Sequence, residues 1–162
     1  MDERPFEFVV RPAGSGDAAI LADFRLASER ERHPERSEEE FARYRDDCGD
    51  FFGTELVAVE PYLRMWVALA GRTALGAAGL TLVRSMPRLG QALALDGRIR
   101  DVFVRPDSRR RGIARTLVRA AIAEAERVGV GRLTLGTSAD GQALYESLGF
   151  VLKPDEMVYR NP

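Results

Sequence analysis

The chain of 162 residues is 45% hydrophobic and 30% charged, and its formal net charge is −1 at pH 7. This length predicts a single domain over residues 1–162 with a core of its own, and the near-zero net charge argues against a nucleic-acid-binding protein. One cysteine and one histidine exclude an internal disulfide and disfavour a structural zinc site. A hydrolase with a catalytic histidine would need His33, which lies beside Pro34 in a charged segment and is predicted to be an exposed loop residue.

Two kinds of membrane-directed segment are missing from the sequence pattern. The first residues, Met1 to Arg4, lack the basic and apolar regions of a signal peptide. No apolar run approaches the length that spans a bilayer. Together with the lone Cys48, which suits a reducing compartment, these features predict a cytoplasmic protein that does not bind a membrane.

The first third of the chain is predicted to form one strand followed by two helices. Residues 6–11 are mostly aromatic or β-branched and predict a strand that Pro12 ends. Asp17 suits the N-cap of a first helix. Ser37, with Glu40 three residues later, forms a capping box that predicts the start of a second helix.

Three side chains share one face of the second predicted helix, namely Phe41, Tyr44 and Cys48. A stripe of this kind at helical spacing favours packing into the core. The alternative is that some of these side chains line a substrate pocket instead of filling the core.

The middle of the chain predicts a run of antiparallel strands. Residues 63–69 and 74–83 form two strands joined by a turn at Gly71. The pair Asp96–Gly97 is a turn signal, and residues 98–104 are predicted to form the fourth strand.

The most informative stretch joins this fourth strand to a helix, from Val102 to Ala114. Pro106 cannot continue a hydrogen-bonded ladder, so the strand ends there, and Gly112 lets the backbone come close to a bound group. The apolar spacing from Ile113 predicts an amphipathic helix, whose N-terminus offers unpaired N–H groups and a partial positive charge. Three consecutive arginines precede Gly112, so the stretch predicts a phosphate or pyrophosphate site; the alternative is a plain turn with solvated arginines.

The C-terminal part adds three strands and one helix to the prediction. The strands are predicted at residues 132–135, Phe150–Val151 and Met157–Tyr159, and the short helix at residues 141–148. The complete order predicts a mixed α/β fold, with one central, mostly antiparallel sheet of about seven strands flanked by about four helices.

Two motifs in this chain resemble those of a known family. Residues 109–114 (R-R-R-G-I-A) resemble the Q/R-x-x-G-x-G/A loop of the GCN5-related N-acetyltransferase (GNAT) family, and residues 144–150 (L-Y-E-S-L-G-F) resemble its L-Y-x-x-x-G-F segment. The motifs occur in the family's order, and the predicted elements around them fit nearly the whole chain. A closer likeness to bacterial acetyltransferases of small molecules or peptides rests on three short segments: Trp66–Val67–Ala68, Met86–Pro87 and Glu156–Met157.

The resemblance implies an acyl-CoA N-acyltransferase fold with a splay between the fourth and fifth strands. It implies that acetyl-CoA is the co-substrate and that its acetyl group passes directly to a primary amine of a small molecule or peptide, without a metal or a covalent enzyme intermediate. Backbone N–H groups in the fourth strand would bind the pantetheine arm, and those of the loop would bind the pyrophosphate. The implied cofactor-binding residues are Val102, Phe103, Val104, Arg109, Arg110, Arg111, Gly112, Ile113, Ala114, Arg115 and Ser138, the last in a region where the family often has an asparagine.

The resemblance also implies catalytic roles. Tyr145 matches the tyrosine that protonates the departing thiolate; the alternative is a packed tyrosine with an incidental hydroxyl. Relatives that act on polyamines carry Glu-Asp where this chain has Arg100–Asp101, which makes Asp101 a candidate base. A salt bridge between Asp101 and a nearby arginine is the competing interpretation, and further base candidates are Glu29, Glu55 and Glu60.

Charge patterning gives a hypothesis about the acceptor. Residues 29–50 contain nine acidic and five basic residues, which predicts attraction of a cationic amine; the alternative is an ordinary solvated helix pair. A non-catalytic acyl-CoA-binding module with a regulatory or assembly role is the alternative function, because the glutamate before Asp101 is replaced. A homodimer is compatible with either function.

Overall fold

A computed structural model describes residues 6–90, 94–153, 157 and 159, and its strands form one sheet in chain order. The five strands are β1 (Val9–Pro12), β2 (Leu63–Ala70), β3 (Thr73–Ser85), β4 (Ala94–Val104) and β5 (Val130–Leu135). Strands β1 to β4 pair antiparallel, and β5 alone runs parallel to its neighbour β4. The mixed α/β class and the mostly antiparallel sheet are therefore confirmed.

The described residues form four helices that cover the two faces of the sheet: α1 (Ala18–Arg32), α2 (Glu38–Glu55), α3 (Ile113–Arg127) and α4 (Ala139–Glu146). Alternate side chains of the strands face opposite layers, as the two-residue strand period requires. One buried cluster joins α1 and α2 to the sheet, and the other joins α3 to its opposite face. No described helix combines the length and apolar character that crossing a membrane requires.

The predicted capping box of α2 is confirmed, and α1 is capped differently from the prediction. Ser37 Oγ accepts a hydrogen bond from Glu40 N at 3.2 Å, and Glu40 Oε2 accepts one from Ser37 N at 2.9 Å. Asp17 occupies the N-cap position of α1, but its side chain makes no cap bond. Its carboxylate binds Arg11 at 2.7 and 2.9 Å and Gly14 N at 2.7 Å, so it fixes the end of β1.

The expectation of about seven strands is wrong for the described residues, which form five. Phe150–Val151 is not a strand, because Phe150 N donates to Tyr145 O at 3.1 Å and so closes the end of α4. The last predicted strand, Met157–Tyr159, falls partly outside the described residues, as does the predicted Glu156–Met157 pair.

The predicted turn at Asp96–Gly97 is also wrong, because both residues lie inside β4. A Cβ on Gly97 would collide with Leu133 and press against Val130, both of β5. The glycine is therefore explained by the close packing of β5 rather than by a turn.

Strand β5 ends before β4 does. Their pairing stops at Ile99 opposite Leu135, the last residue of β5, whereas β4 continues to Val104. This arrangement is consistent with the expected splay between the fourth and fifth strands, and it leaves one edge of β4 open beside the start of α3.

Candidate functional site

The open edge of β4 presents backbone donors. Arg105 N donates to Leu75 O of β3 at 2.9 Å, and successive residues of a strand direct their polar groups to opposite edges. The N–H groups of Val104 and Val102 therefore point to the edge of β4 that faces away from β3, beyond the last residue that pairs with β5. Phe103 differs from both, because its carbonyl faces Gly76 of β3 and its ring is buried in the α1–α2 layer.

The loop after β4 provides a second group of backbone donors. A short 3₁₀ turn over Pro106–Ser108 precedes two residues with left-handed backbone, Arg110 (φ 64°) and Gly112 (φ 80°). The first helical bond of α3 runs from Thr116 N to Gly112 O at 3.1 Å, and no described residue accepts a hydrogen bond from the N–H groups of residues 110–115. Adjacent free donors at the positive end of a 15-residue helix favour an anion.

The side chain of Arg109 binds protein groups. Its Nε donates to Val104 O at 3.0 Å, and its Nη2 contacts both carboxylate oxygens of Glu31 at 2.6 and 2.9 Å. Its guanidinium also lies 5.9 Å from the centre of the Phe103 ring. Arg109 therefore connects α1 to the end of β4, and its charge is already matched by a carboxylate.

The other arginines of the loop have different surroundings. Arg111 lies 4.3 Å above the ring of Phe6. Arg110 and Arg115 form no ion pair with the described residues, so their charges are available to a ligand. Ile113 is buried and offers only its backbone, and Ala114 is half-buried.

A β-bulge in β4 reorients the candidate base. Arg100 lies opposite Gly79 and Phe103 opposite Ala77, so two residues of β4, Asp101 and Val102, face a single residue of β3. Asp101 has a φ of 55°, a left-handed conformation that aspartate tolerates better than most residues. Because of the extra residue, Asp101 points to the α1–α2 face, where Phe103 also lies, instead of to the opposite core.

Asp101 is paired in the structure with a residue that the sequence analysis did not identify. Arg25 of α1 contacts Asp101 Oδ1 at 2.5 Å and Glu29 at 3.9 Å. Burial lowers the pKa of Arg25, but the anions around it, Asp101 first, raise that pKa overall. The expected salt bridge between Asp101 and an arginine is therefore present, and Oδ2 remains the carboxylate oxygen without a described donor.

A cavity of about 860 Å³ lies between α1–α2, β4 and the start of α4. Its lining brings together several residues predicted for the site, namely Asp101, Val102, Ser138 and Tyr145. It also includes residues that the sequence analysis did not assign to a site: Arg25, Asp47, Arg98 and Arg100. The other base candidates, Glu29, Glu55 and Glu60, do not line it.

The stripe on α2 divides between core and cavity. Phe41 is buried, whereas Tyr44 and Cys48 line the cavity. The Tyr44 hydroxyl is buried without a hydrogen-bond partner among the described residues. Burial raises the pKa of Tyr44 to about 12, against the opposing effect of Arg25.

Tyr145 and Ser138 lie where α4 borders the cavity. Tyr145 is half-buried, its ring meets Phe150 edge-on at 6.2 Å, and burial raises the pKa of its hydroxyl. The phenol is therefore protonated at neutral pH and suited to donate a proton. Ser138 is the N-cap residue of α4 and its side chain makes no cap bond, while its carbonyl accepts a bond from Thr137 Oγ1 at 2.8 Å.

Alternation along β4 is the signal that could have identified the missed arginines. Ile99 faces the core shared with α3, so Arg98 and Arg100 must project from the opposite face. That face carries α1 and α2, and thus the cavity. Arg25 carried no comparable signal, because its partner lies 76 positions away.

The chain matches the family model described as acetyltransferase (GNAT) family over residues 20–150. Among solved structures it is similar to a GCN5-related N-acetyltransferase from Ralstonia eutropha JMP134, with 26% identity, a TM-score of 0.79, and coverage of 96% of this chain and 99% of that chain. No curated protein matches the sequence.

Two further solved structures share the fold at lower identity. A predicted acetyltransferase from Clostridium acetobutylicum, solved with acetyl-CoA, has 18% identity and a TM-score of 0.78, over 95% of this chain and 96% of that chain. The aminoglycoside N-acetyltransferase AAC(6')-Iy, solved in complex with CoA, has 19% identity and a TM-score of 0.66, over 99% of both chains.

Proposed function

The chain belongs to the acetyltransferase (GNAT) family, whose model matches residues 20–150, and from this membership we propose that it is an N-acetyltransferase that uses acetyl-CoA. The acceptor in this proposal is a primary amine of a small molecule or peptide. The proposed enzyme is one cytoplasmic domain over residues 1–162, and the reaction needs neither a metal nor a covalent enzyme intermediate.

One observation carries the proposal: free backbone donors occur in two groups, at the open edge of β4 and in the loop at residues 110–115. The N–H groups of Val102 and Val104 suit the amide-rich pantetheine arm, since they face an edge without a neighbouring strand. The unpartnered N–H groups of residues 110–115 suit a pyrophosphate. Gly112 supports this assignment, because nothing lies within 4 Å of the position where a Cβ would be.

The proposed chemistry is a direct displacement that positioned groups assist. Bound acetyl-CoA supplies a thioester carbon; its C–S bond breaks as an N–C bond to the amine forms, the nitrogen loses a proton and the sulfur gains one. Tyr145, protonated at neutral pH, is the proposed proton donor to sulfur. Asp101, through Oδ2, is the proposed acceptor of the amine proton. Holding both reactants in line supplies most of the rate.

The test combines binding with turnover. Calorimetry should detect acetyl-CoA binding to the wild-type protein, and a thiol-reactive chromophore should report CoA release that depends on an added amine. Binding without release for any amine in a broad panel would favour the non-catalytic acyl-CoA-binding module. The structure gives a reason to test for that outcome, because Arg25 already binds one carboxylate oxygen of Asp101, the proposed base.

A further inference from the structure

Arg98 and Arg100 form a pair of exposed guanidinium groups on one wall of the cavity. They are two residues apart on β4, so their side chains leave the same face, about 6.6 Å apart along the strand. Both precede the bulge formed by Asp101 and Val102, whereas the proposed pantetheine contacts lie within it (Val102) and after it (Val104). The pair therefore lies on the acceptor side of the reacting centre.

Neither guanidinium has an anionic partner among the described residues, which sets the pair apart from the other cavity arginines. Arg25 binds Asp101, and Arg32 binds Glu29 at 3.0 Å. Two adjacent unpaired cations repel each other, and an anion bound between them removes that repulsion. The planar guanidinium fits carboxylate and phosphate oxygens in a two-point geometry.

The acidic residues of α1 and α2 do not neutralise the positive charge of Arg98 and Arg100. Their carboxylates largely form exposed ion pairs with arginines of the same layer: Arg30–Glu38, Arg36–Glu40, Arg43–Glu39 and Arg45–Asp23. Asp47 is the one acidic residue of α2 that lines the cavity, and no described cation pairs with it. With respect to the described residues, the cavity thus has two unpaired cations on β4 and one unpaired anion on α2.

We propose that the acceptor amine carries an anionic group, a carboxylate or a phosphate, that binds Arg98 and Arg100 while its amino end faces Asp47 and Asp101. This inference rests on the proposed acetyltransferase function and specifies its substrate class. It replaces the cationic amine expected from the charge of residues 29–50 with an amine of mixed charge.

Matched pairs of amines test the proposal in the wild-type protein. Amino acids are compared with their C-terminal amides, O-phosphoethanolamine with ethanolamine, and spermidine serves as a polycation. We expect the anionic member of a pair to have a kcat/KM at least ~10-fold higher, the size of a charge-assisted contact. The pair that shows the preference identifies carboxylate or phosphate. A best substrate that is neutral or polycationic would overturn the proposal.

Variants locate the preference in the protein. In the double variant Arg98→Gln/Arg100→Gln, the KM of the anionic acceptor should rise ~10-fold or more, whereas the KM of its neutral partner and of acetyl-CoA should stay unchanged. Arg84→Gln is the control, since this exposed arginine of β3 does not line the cavity. An anionic preference that persists in the folded double variant would refute the assignment.

A binding measurement separates this inference from the proposed function. Calorimetry with the protein–CoA complex compares the affinities of the same amine pairs without turnover. Tighter binding of the anionic member, combined with no amine-dependent CoA release in the turnover assay with acetyl-CoA, would support the anion site and refute catalysis. CoA release without any anionic preference would support catalysis and refute the anion site.

Discussion

At the scale of single residues, removal of the Tyr145 hydroxyl distinguishes a proton donor from a tyrosine that only packs. In Tyr145→Phe the ring can keep its contact with Phe150, while the proposed proton donor is lost. We expect kcat to fall by ~10²-fold with little change in acetyl-CoA affinity. Steady-state kinetics and calorimetry measure the two quantities. Tyr62→Phe is the control, because it removes a hydroxyl from another cavity residue; equal kcat in Tyr145→Phe and the wild type would assign Tyr145 to packing.

Asp101 and Arg25 can be separated by comparing single variants. If Asp101 is the base, Asp101→Asn should lower kcat by ~10²-fold, whereas Arg25→Gln should retain most of kcat, since it leaves the carboxylate in place. Both variants break the same ion pair, so unfolding by urea gives the structural cost of each. Equal losses of kcat in the two variants would show that Asp101 acts only by joining β4 to α1.

Asp17 supports a prediction about stability and pH. Hydrogen bonds from Arg11 and from Gly14 N lower its pKa, although burial opposes them. A lowered folded pKa gives stability that is fully present above the unfolded value of ~3.9 and is lost as pH falls through the folded pKa. Asp17→Asn should therefore lower the free energy of unfolding by about 2 kcal/mol near pH 7.

The difference between Asp17→Asn and the wild type should shrink near pH 2, and urea unfolding at both pH values measures it. Glu38→Gln is the control, because the Arg30–Glu38 pair is exposed and joins the same helix layer. A difference that is constant between the two pH values would contradict a titrating ion pair.

Residue types were easier to predict from the sequence than residue partners. The motif positions of Tyr145 and Asp101 are local patterns, and the structure places both on one cavity. The Arg25–Asp101 and Arg109–Glu31 pairs join residues 76 and 78 positions apart. Such pairs follow from how helices dock on the sheet, which no short window of sequence contains.

At the scale of elements, the loop before α3 supports a matched comparison of two glycines. Gly112 and Gly129 flank α3 with φ values of 80° and 78°, and at neither residue does an atom lie within 4 Å of the place that a Cβ would take. Aspartate at either position should cost about 1 kcal/mol of stability from the left-handed backbone. Only Gly112→Asp should lower acetyl-CoA affinity, by ~10²-fold or more, because its carboxylate would face the pyrophosphate.

Calorimetry with acetyl-CoA and urea unfolding of both glycine variants provide the two readouts. Equal affinity in Gly112→Asp and Gly129→Asp would remove the loop from the cofactor site. A loss of affinity in Gly112→Asp alone, at equal stability, would support the assignment.

Helices and strands were predictable from the sequence where apolar residues recur at regular spacing. They were less predictable where a glycine fits either a turn or a closely packed strand. The helix from Ile113 follows from apolar spacing, and the structure has a helix over Ile113–Arg127. Gly97 indicated a turn, yet it lies within β4, because close packing and a turn both select glycine. Phe150 is apolar like a strand residue, but its backbone closes α4.

At the scale of the whole molecule, charge is unevenly distributed although it nearly cancels. Residues 97–162 hold twelve basic and eight acidic groups, and residues 1–96 hold twelve basic and seventeen acidic groups. Acetyl-CoA is a polyanion whose proposed site lies in the cationic part, so its affinity should fall severalfold as the Debye length shrinks from ~30 Å at 0.01 M salt to ~8 Å at 0.15 M.

Calorimetric titration of acetyl-CoA at those two salt concentrations measures this effect, with a neutral osmolyte at matched osmolality as the control. Affinity that is independent of salt would show that the free N–H groups, rather than the arginine charges, dominate binding.

The register of β1 has a consequence for how the site assembles during folding. Val9 of β1 pairs with Leu69 of β2, and the segment between them, which contains α1 and α2, is about 60 residues long. Ala70 and Thr73, in contrast, pair across the tight turn that joins β2 to β3. Loop-closure entropy therefore opposes β1 docking more than it opposes the local β2–β3–β4 meander, and slightly more than it opposes the α3 crossover, which pairs Leu95 with Val130. We expect the proposed cofactor site, built from β4 and α3, to form first, and the proposed acceptor site to be completed only when α1 and α2 close over the sheet.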